Sequence, residues 1–572
     1  MDQHPQAAGP FELQTIGLGA LLVIDRFLER IDLAGALARQ LPAGDARMTL
    51  APAIAVGVLV RNLCVAREPL YGLAGWAAGV EPGLLGLQDG EHVLLNDDRV
   101  GRALDVLFDA DRGTLLCELV LRAVREFSID TSQLHNDSTS LVLHGDYDAA
   151  DGRQRGGKAT VAAARGHSKD HRPDLKQLVL ILTVTADGAV PLTHRLVAGN
   201  TTDDQTHIAT WDELRALTGT AAFLYVADSK LCTREQMSHI DRQGGRFVTV
   251  LPRSRREDGQ LRDWMTTATP DWSEAVRRPG KRTDDPDQVY RVAPAPFCSS
   301  EGYRIVWVHS SVKAHLDETA RHQRIQRTLK ALTDLNERLT GPRARITTSV
   351  AVEDAAREII DHSGAEDYVT FTITEATEER YRQEKRGRPG KDTRYRKIHK
   401  TSFAVTASVD ADSVRRDAAS DGCFPLITNS RDLTDAEVLI AYRYQPHLEK
   451  RHHQLKSVHD AAPVTLKSPA RIEALFACQF IALLCCCLIE RELRNAMTDR
   501  QITDLPLYPE DRDCTAPTAA RVFDHLAPLQ RHHLTRDAHA VQTFDPQLTP
   551  LQAQLLNLLD IPTTAYTSAS AR

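Results

Sequence analysis

The sequence predicts an α/β fold class, with a helical region in front and a mixed insertion in the middle, and three observations predict it. Apolar residues recur at three- and four-residue spacing through 12–127. Short strand-like runs alternate with helical ones through 132–250. The texture then shifts at 254–430 toward half-buried strands before long helices return at 433–494. No segment repeats with a fixed period, which argues against solenoids and propellers.

Taken in order, "LLVIDRFLERIDLAGALARQL", "APAIAVGVLVRNLCVA" and "DRVGRALDVLFDADRGTLLCELVLRAVREF" read as helices, with Asn96 or Asp97 opening the third. "SLVLHG" within 132–147 is rich in strand formers. In 176–200 two apolar runs meet at Asp187-Gly188, a dipeptide suited to a two-residue hairpin turn. A helix ("TDDQTHIATWDELRAL"), a buried strand ("AFLYVADSKLC"), a second helix ("TREQMSHIDRQ") and a second strand ("RFVTVLPRS") follow. Further on, "YRIVWVHSS" and "YVTFTITE" alternate like half-buried strands. Between them Ile325, Leu329, Leu332, Leu335 and Leu339 form one helical stripe, opened by acids and closed at Gly341-Pro342.

A chain of 572 residues exceeds what one core supports, so two to four domains are expected, and 42% hydrophobic with 26% charged residues is ordinary globular composition. The N-terminus lacks the basic start and apolar core of a secretory signal, which predicts a cytoplasmic protein. Ten Cys without a CxxC pair point to small buried thiols rather than zinc or disulfides. "ALFACQFIALLCCCLI" (474–489) is short for a bilayer crossing and reads as a buried helix, so no membrane partner is expected. The net charge of -7 hides an asymmetry: residues 376–400 hold ten bases against four acids. Such a patch steers anions locally, because screening makes near charges dominate.

The chemistry concentrates on three acids. Asp137 enters "DSTSLVL", and Asp228 ends "FLYVAD", where a buried strand leaves its sheet. Either acid alone is explained by a helix cap or strand end. Glu449 changes the balance, because it sits among bases in "YRYQPHLEKRHHQLKS". Three carboxylates at one sheet edge suit Mg²⁺, which keeps waters and takes one or two protein ligands per ion. Two such ions activate an attacking oxygen and stabilise the leaving one in phosphodiester displacement.

Tyr442, Gln445, Glu449 and Lys456 are separated by two, three and six residues. Together with "HNDSTSL", "GHSKDHRPDLKQLVL", "VAGNTTDDQTH", "YVADSK" and "FPLITNSRDLTDAEVLIAYRYQ", this resembles the DDE transposases of bacterial insertion sequences, in the group with a Tyr-Arg-Glu-Lys signature. Gln445 stands where that signature has Arg. The resemblance covers about residues 95–495 in register. It implies an RNase H-like catalytic core interrupted by a β-rich insertion before the third acid. Asp137, Asp228 and Glu449 would be the catalytic metal ligands for two Mg²⁺ ions, with Mn²⁺ as a substitute. Tyr442, Gln445 and Lys456 would face DNA, with Lys456 two helical turns beyond Glu449 on the same face. The implied partners are terminal inverted repeats, target DNA and a second copy of the chain in a synaptic homodimer. The expected divisions are an N-terminal helical domain reading element ends (1–127), first core part (128–253), insertion (254–430), core helices with the third acid (431–500) and a C-terminal region (501–572).

Secondary signals remain open at the level of sequence. Arg386 and Arg388 in "RGRPGK" suit a narrow minor groove, or belong to a basic loop between two strands. Trp307, Trp264 or Trp272 would stack a flipped base, or fill the core. His452 and His453 read as helix-surface residues. Three functions stay in play: an active cut-and-paste transposase, an RNase H-like nuclease without strand joining, and an inactive transposase that only binds DNA.

Overall fold

A computed structural model of the chain describes residues 10–42, 49–169, 172–280, 285–341, 345–459, 461–462, 464–536 and 539–567. It divides into two compact units. The first joins residues 1–249 to 441–572, and the second is residues 250–440.

The first unit is built round one long helix, Pro469–Asp499, which packs against Pro52–Val65 and Asp97–Asp109. That helix is long and apolar enough to cross a bilayer, yet 89% of its apolar window is buried inside the protein, as a core helix requires. Cys478, Cys485, Cys486 and Cys487 are among its buried residues, and of the ten Cys only Cys117 and Cys298 are not buried. Asn96 caps the Asp97–Asp109 helix by accepting from the Arg99 amide at 2.9 Å, and Asp97 and Asp98 fill the first turn.

Five strands of this unit lie in the order Pro191–Ala198, Gln177–Thr185, Gln133–Val142, Leu224–Val226, Arg246–Val250. The first three pair antiparallel, and the last two run parallel to the central Gln133–Val142 strand. Every residue of Gln177–Thr185 is buried, consistent with the apolar run Leu178–Leu182 at its centre. The Asp187-Gly188 turn is wider than the two-residue hairpin expected, because strand pairing stops at Thr185 and resumes at Pro191. The cause is external: Asp187 is held by Arg491, and the Gly188 and Ala189 carbonyls accept from Arg451.

A second sheet here has no counterpart in the sequence expectations. Phe11–Gly17 pairs with Gln530–Arg536, which pairs in turn with His539–Phe544.

The second unit contains four antiparallel strands in the order Cys423–Thr428, Arg304–Ser310, Gln288–Pro294, Ser273–Arg278. Its helix Ser311–Thr340 starts earlier than the acids suggested, because Ser310 caps it by accepting from the Lys313 amide. The leucine stripe packs against Ser349–Ser363 and against the base of a hairpin, Val369–Gln383 with Tyr395–Val409. The region is therefore as helical as it is β. Trp307 is fully buried within Arg304–Ser310, so it fills the core and has no surface for a base.

Candidate active site

The geometry starts from a strand register. Leu224–Val226 runs parallel to the central strand with Gln133 opposite Leu224, Leu134 opposite Tyr225 and His135 opposite Val226. The pairing ends there; continued two residues along the same direction, it brings Asp137 level with Asp228, whose backbone is still extended at φ −69°, ψ −176°. Neighbouring strands lie about 4.8 Å apart and in-register residues share a face, so two acids remote in sequence become neighbours. Asp228 also caps the short turn Ser229–Leu231, accepting from the Lys230 amide at 3.0 Å, and its carbonyl accepts from Thr249 Oγ1.

The third acid reaches the same level by helix–strand matching. His135 lies on the same face as Asp137, and its Nδ1 bonds Gln445 Oε1 at 2.9 Å, while Gln445 Nε2 donates to the Asn136 carbonyl at 3.1 Å. Lys456 Nζ donates to the Ser140 carbonyl at 2.9 Å. The helix Gln445–His453 therefore runs alongside the central strand in the same sense. Glu449 is one turn beyond Gln445, an advance of about 6 Å, and two strand residues advance about 6.6 Å, from His135 to Asp137. Glu449 is exposed.

Tyr442 reports all three acids at once. Burial, then the negative charges of Asp228, Glu449 and Asp137, push its hydroxyl up to about 12. One phenol feels the field of every candidate carboxylate, and it stays protonated at neutral pH.

Lys169, from the stretch "GHSKD", is a site residue that sequence reasoning missed. Its Nζ lies 3.7 Å from Asp137 Oδ1 and donates to the Ser138 carbonyl at 2.5 Å, while its amide donates to Ser140 Oγ at 3.1 Å. The neighbouring Asp170 and His171 lie outside the described residues. The signal available was a lysine inside a family-like stretch rich in polar residues.

Three expectations about the helix change. His452 is 5% exposed rather than on the surface, and burial, with Lys169 and Lys456 adding positive charge, lowers its ring to about 3. Neither ring nitrogen makes a hydrogen bond of ordinary geometry among the described residues, although the Asp137 backbone lies close enough to favour the charged ring slightly. His453 is exposed as expected. The α-helix also gives way to a π-helical turn at Gln454–Val458, whose wider winding moves Lys456 off the α-helical register with Glu449. Gln445 is 7% exposed with its amide engaged from both ends, so it ties helix to strand and leaves little for a DNA strand.

Among the described residues no group of three or more His, Cys, Asp or Glu is arranged to hold a metal ion. The acids stand instead as a strand pair and a helix partner, all oxygen donors. Arg386 and Arg388 lie in the second unit, at the exposed tip of the Val369–Val409 hairpin.

No family model matches the chain, and no curated protein does. Among solved structures it is similar to a piggyBac transposase synaptic complex with hairpin DNA, at TM-score 0.24 and 9% identity, over 52% of this chain and 63% of that one. It is similar to a pre-cleavage Mos1 transpososome at TM-score 0.14 and 10% identity, over 36% and 60%, and to a Mos1 transposase paired-end complex with left transposon end at 0.13 and 11%, over 35% and 59%. The chain thus spans less than two thirds of each of these neighbours. Scores this low define no shared fold, and the functional reading rests on the carboxylates.

Proposed function

We propose that this protein is a DNA transposase that cleaves phosphodiesters and transfers strands at the ends of an insertion sequence, with Asp137, Asp228 and Glu449 as its metal ligands. The observation that carries the reading is the parallel register that sets Asp137 beside Asp228, with Tyr442 in the field of both and of Glu449. The order of the five strands, third-second-first-fourth-fifth, supports an RNase H-like core as its frame.

The donor set fits Mg²⁺ or Mn²⁺, since hard cations take carboxylate oxygens, one or two per ion, and leave the rest to water and phosphate. A ready-made three-ligand cage is therefore not required. When bound, two such ions supply activation of the attacking oxygen and stabilisation of the leaving one. The protein's own residues do the rest. Asp137 and Asp228 present adjacent anionic oxygens from a rigid sheet, and Lys169 offsets their repulsion. Tyr442 keeps its proton and donates to a phosphate or sugar oxygen. Lys456 and Tyr442 flank the DNA end, Arg386 and Arg388 contact DNA from the second unit, and synapsis of two ends calls for a homodimer.

The test is a supercoiled plasmid carrying the element's ends, incubated with Mg²⁺. Wild type yields cut and joined products, and Asp228→Asn yields neither while still binding the ends. Cleavage surviving in Asp228→Asn would remove the metal assignment, and cutting without joining would reduce the enzyme to a nuclease.

A further inference from the structure

We propose that the hairpin Val369–Gln383 with Tyr395–Val409 is an arm that grips the phosphate backbone of duplex DNA without reading its sequence. The inference deepens the DNA contact proposed above for Arg386 and Arg388, rests on that reading for its partner, and does not need the cleavage chemistry.

The arm has an anchored base and an unsupported outer half. Phe403 and Val405 are buried in the core of the second unit, with Phe371 and Ile373 packed against them, and the Asn336 side chain clasps the Val405 backbone from both sides at 2.6 and 2.7 Å. Beyond the Glu375–Phe403 pair the strands stay in register through Gln383–Tyr395 with no buried residue on either side. Eight further steps carry the ribbon roughly 27 Å past its last buried residue. A two-stranded ribbon standing alone is marginal in water. The sequence suggests a minor-groove motif or a basic loop between two strands, and not a ribbon this long, because neither strand alternates apolar with polar once both faces are wet.

The charge of that outer half points to its occupant. Ten bases face four acids in 376–400, a local +6 on a chain of net -7. Only Arg380 and Lys397 have carboxylate partners there among the described residues, Glu378 and Glu379. Arg382 stands directly opposite Arg396, a like-charge pair that weakens the ribbon until an anion lies over it. The bland alternative is that charge merely blunts two exposed strand edges. Blunting is done chiefly by Lys, however, whereas six of these ten bases are Arg, and it does not explain the facing arginines. A duplex presents phosphates at a spacing such a row can follow, and its major groove admits a two-stranded ribbon.

The experiment uses the full-length protein, a labelled duplex of arbitrary sequence and no divalent metal, with binding followed by anisotropy across a salt series. R382Q/R386Q/R388Q/R396Q is expected to weaken binding at least about tenfold at low salt and to flatten the log–log salt slope by about 3 to 4, since each phosphate that is no longer neutralised removes about 0.9. The four Arg→Lys changes are expected to restore most of the affinity, since a phosphate grip needs charge rather than base recognition. Unchanged affinity and slope in the Gln variant overturns the arm's role. Failure of the Lys variant, tighter binding of duplex RNA, or loss of self-association in place of DNA affinity also overturns it. An arm that binds while wild type never cleaves leaves this inference standing and removes only the proposed function.

Discussion

Arg451 and Glu490 meet at 2.6 Å in the interior of the first unit, the two side chains 7% and 2% exposed. The guanidinium also donates to the Gly188 and Ala189 carbonyls, and Glu490 Oε1 accepts from the Ala519 amide at 3.0 Å. One ion pair therefore fixes the helix bearing Glu449 to the core helix and to the turn after Gln177–Thr185. Arg451→Met is expected to cost up to about 3 to 5 kcal/mol in urea unfolding, because it takes the nearer cation from a buried carboxylate and leaves it only Arg494, at 3.4 Å. Arg451→Met with Glu490→Leu should recover much of that loss. A double variant no better than the single one would show that the hydrogen bonds to the turn, not the charges, dominate.

Tyr442 gives a spectroscopic reading of the three acids. Its ionisation, isolated by ultraviolet difference against Tyr442→Phe, is expected near pH 12, and Asp228→Asn should move it down towards the ordinary tyrosine value. A phenol that titrates higher when folded stabilises the fold below about pH 10 and loses that contribution as pH rises through about 12. An unmoved titration in Asp228→Asn would place that carboxylate away from the phenol.

Burial lowers His452 to about 3 and His135, His194 and His459 to about 4. The unfolded chain binds these protons first, so the stabilisation is complete above about pH 6.5 and is lost as pH falls toward 4 and then 3. Each ring adds up to about 1.4 kcal/mol of instability per pH unit in that window. His452→Gln should flatten the acid limb of the stability curve and leave the limb above pH 7 unchanged. A limb that stays equally steep would assign the slope to other groups.

Lys169 places a cation 3.7 Å from Asp137. Lys169→Gln is expected to tighten Mn²⁺ binding to the DNA-free protein several-fold, measured by calorimetry, while weakening strand cleavage. Weaker Mn²⁺ binding would make the ammonium a brace for the carboxylate rather than a competitor of the ion.

How much of the fold and site is legible in the sequence depends on where the physical signal lies. The core strand Gln177–Thr185 and the capped helix Asp97–Asp109 announce themselves through apolar runs and local caps, and the structure keeps both. Asp137 and Asp228 are legible as strand-end acids, but their register is a long-range fact that no local pattern carries. Lys169 is hidden because its partners are backbone and hydroxyl groups on another strand. His452 is misread because the bases beside it in sequence suggest a wet helix face, whereas the fold leaves only 5% of it exposed. The wide Asp187-Gly188 turn is held by tertiary partners, Arg451 and Arg491, and leaves no trace in spacing.

The Phe11–Gly17 strand finds its partner only at Gln530–Arg536. A ribosome adds roughly 5 to 20 residues each second, so this strand waits on the order of half a minute or longer for its mate. Before that mate is made, residues 250–440, one uninterrupted stretch, are already complete, while their discontinuous companion has only begun its second segment, 441–572. Until Gln530–Arg536 is made, an unpaired strand edge therefore stands open to chaperones or to a neighbouring nascent chain.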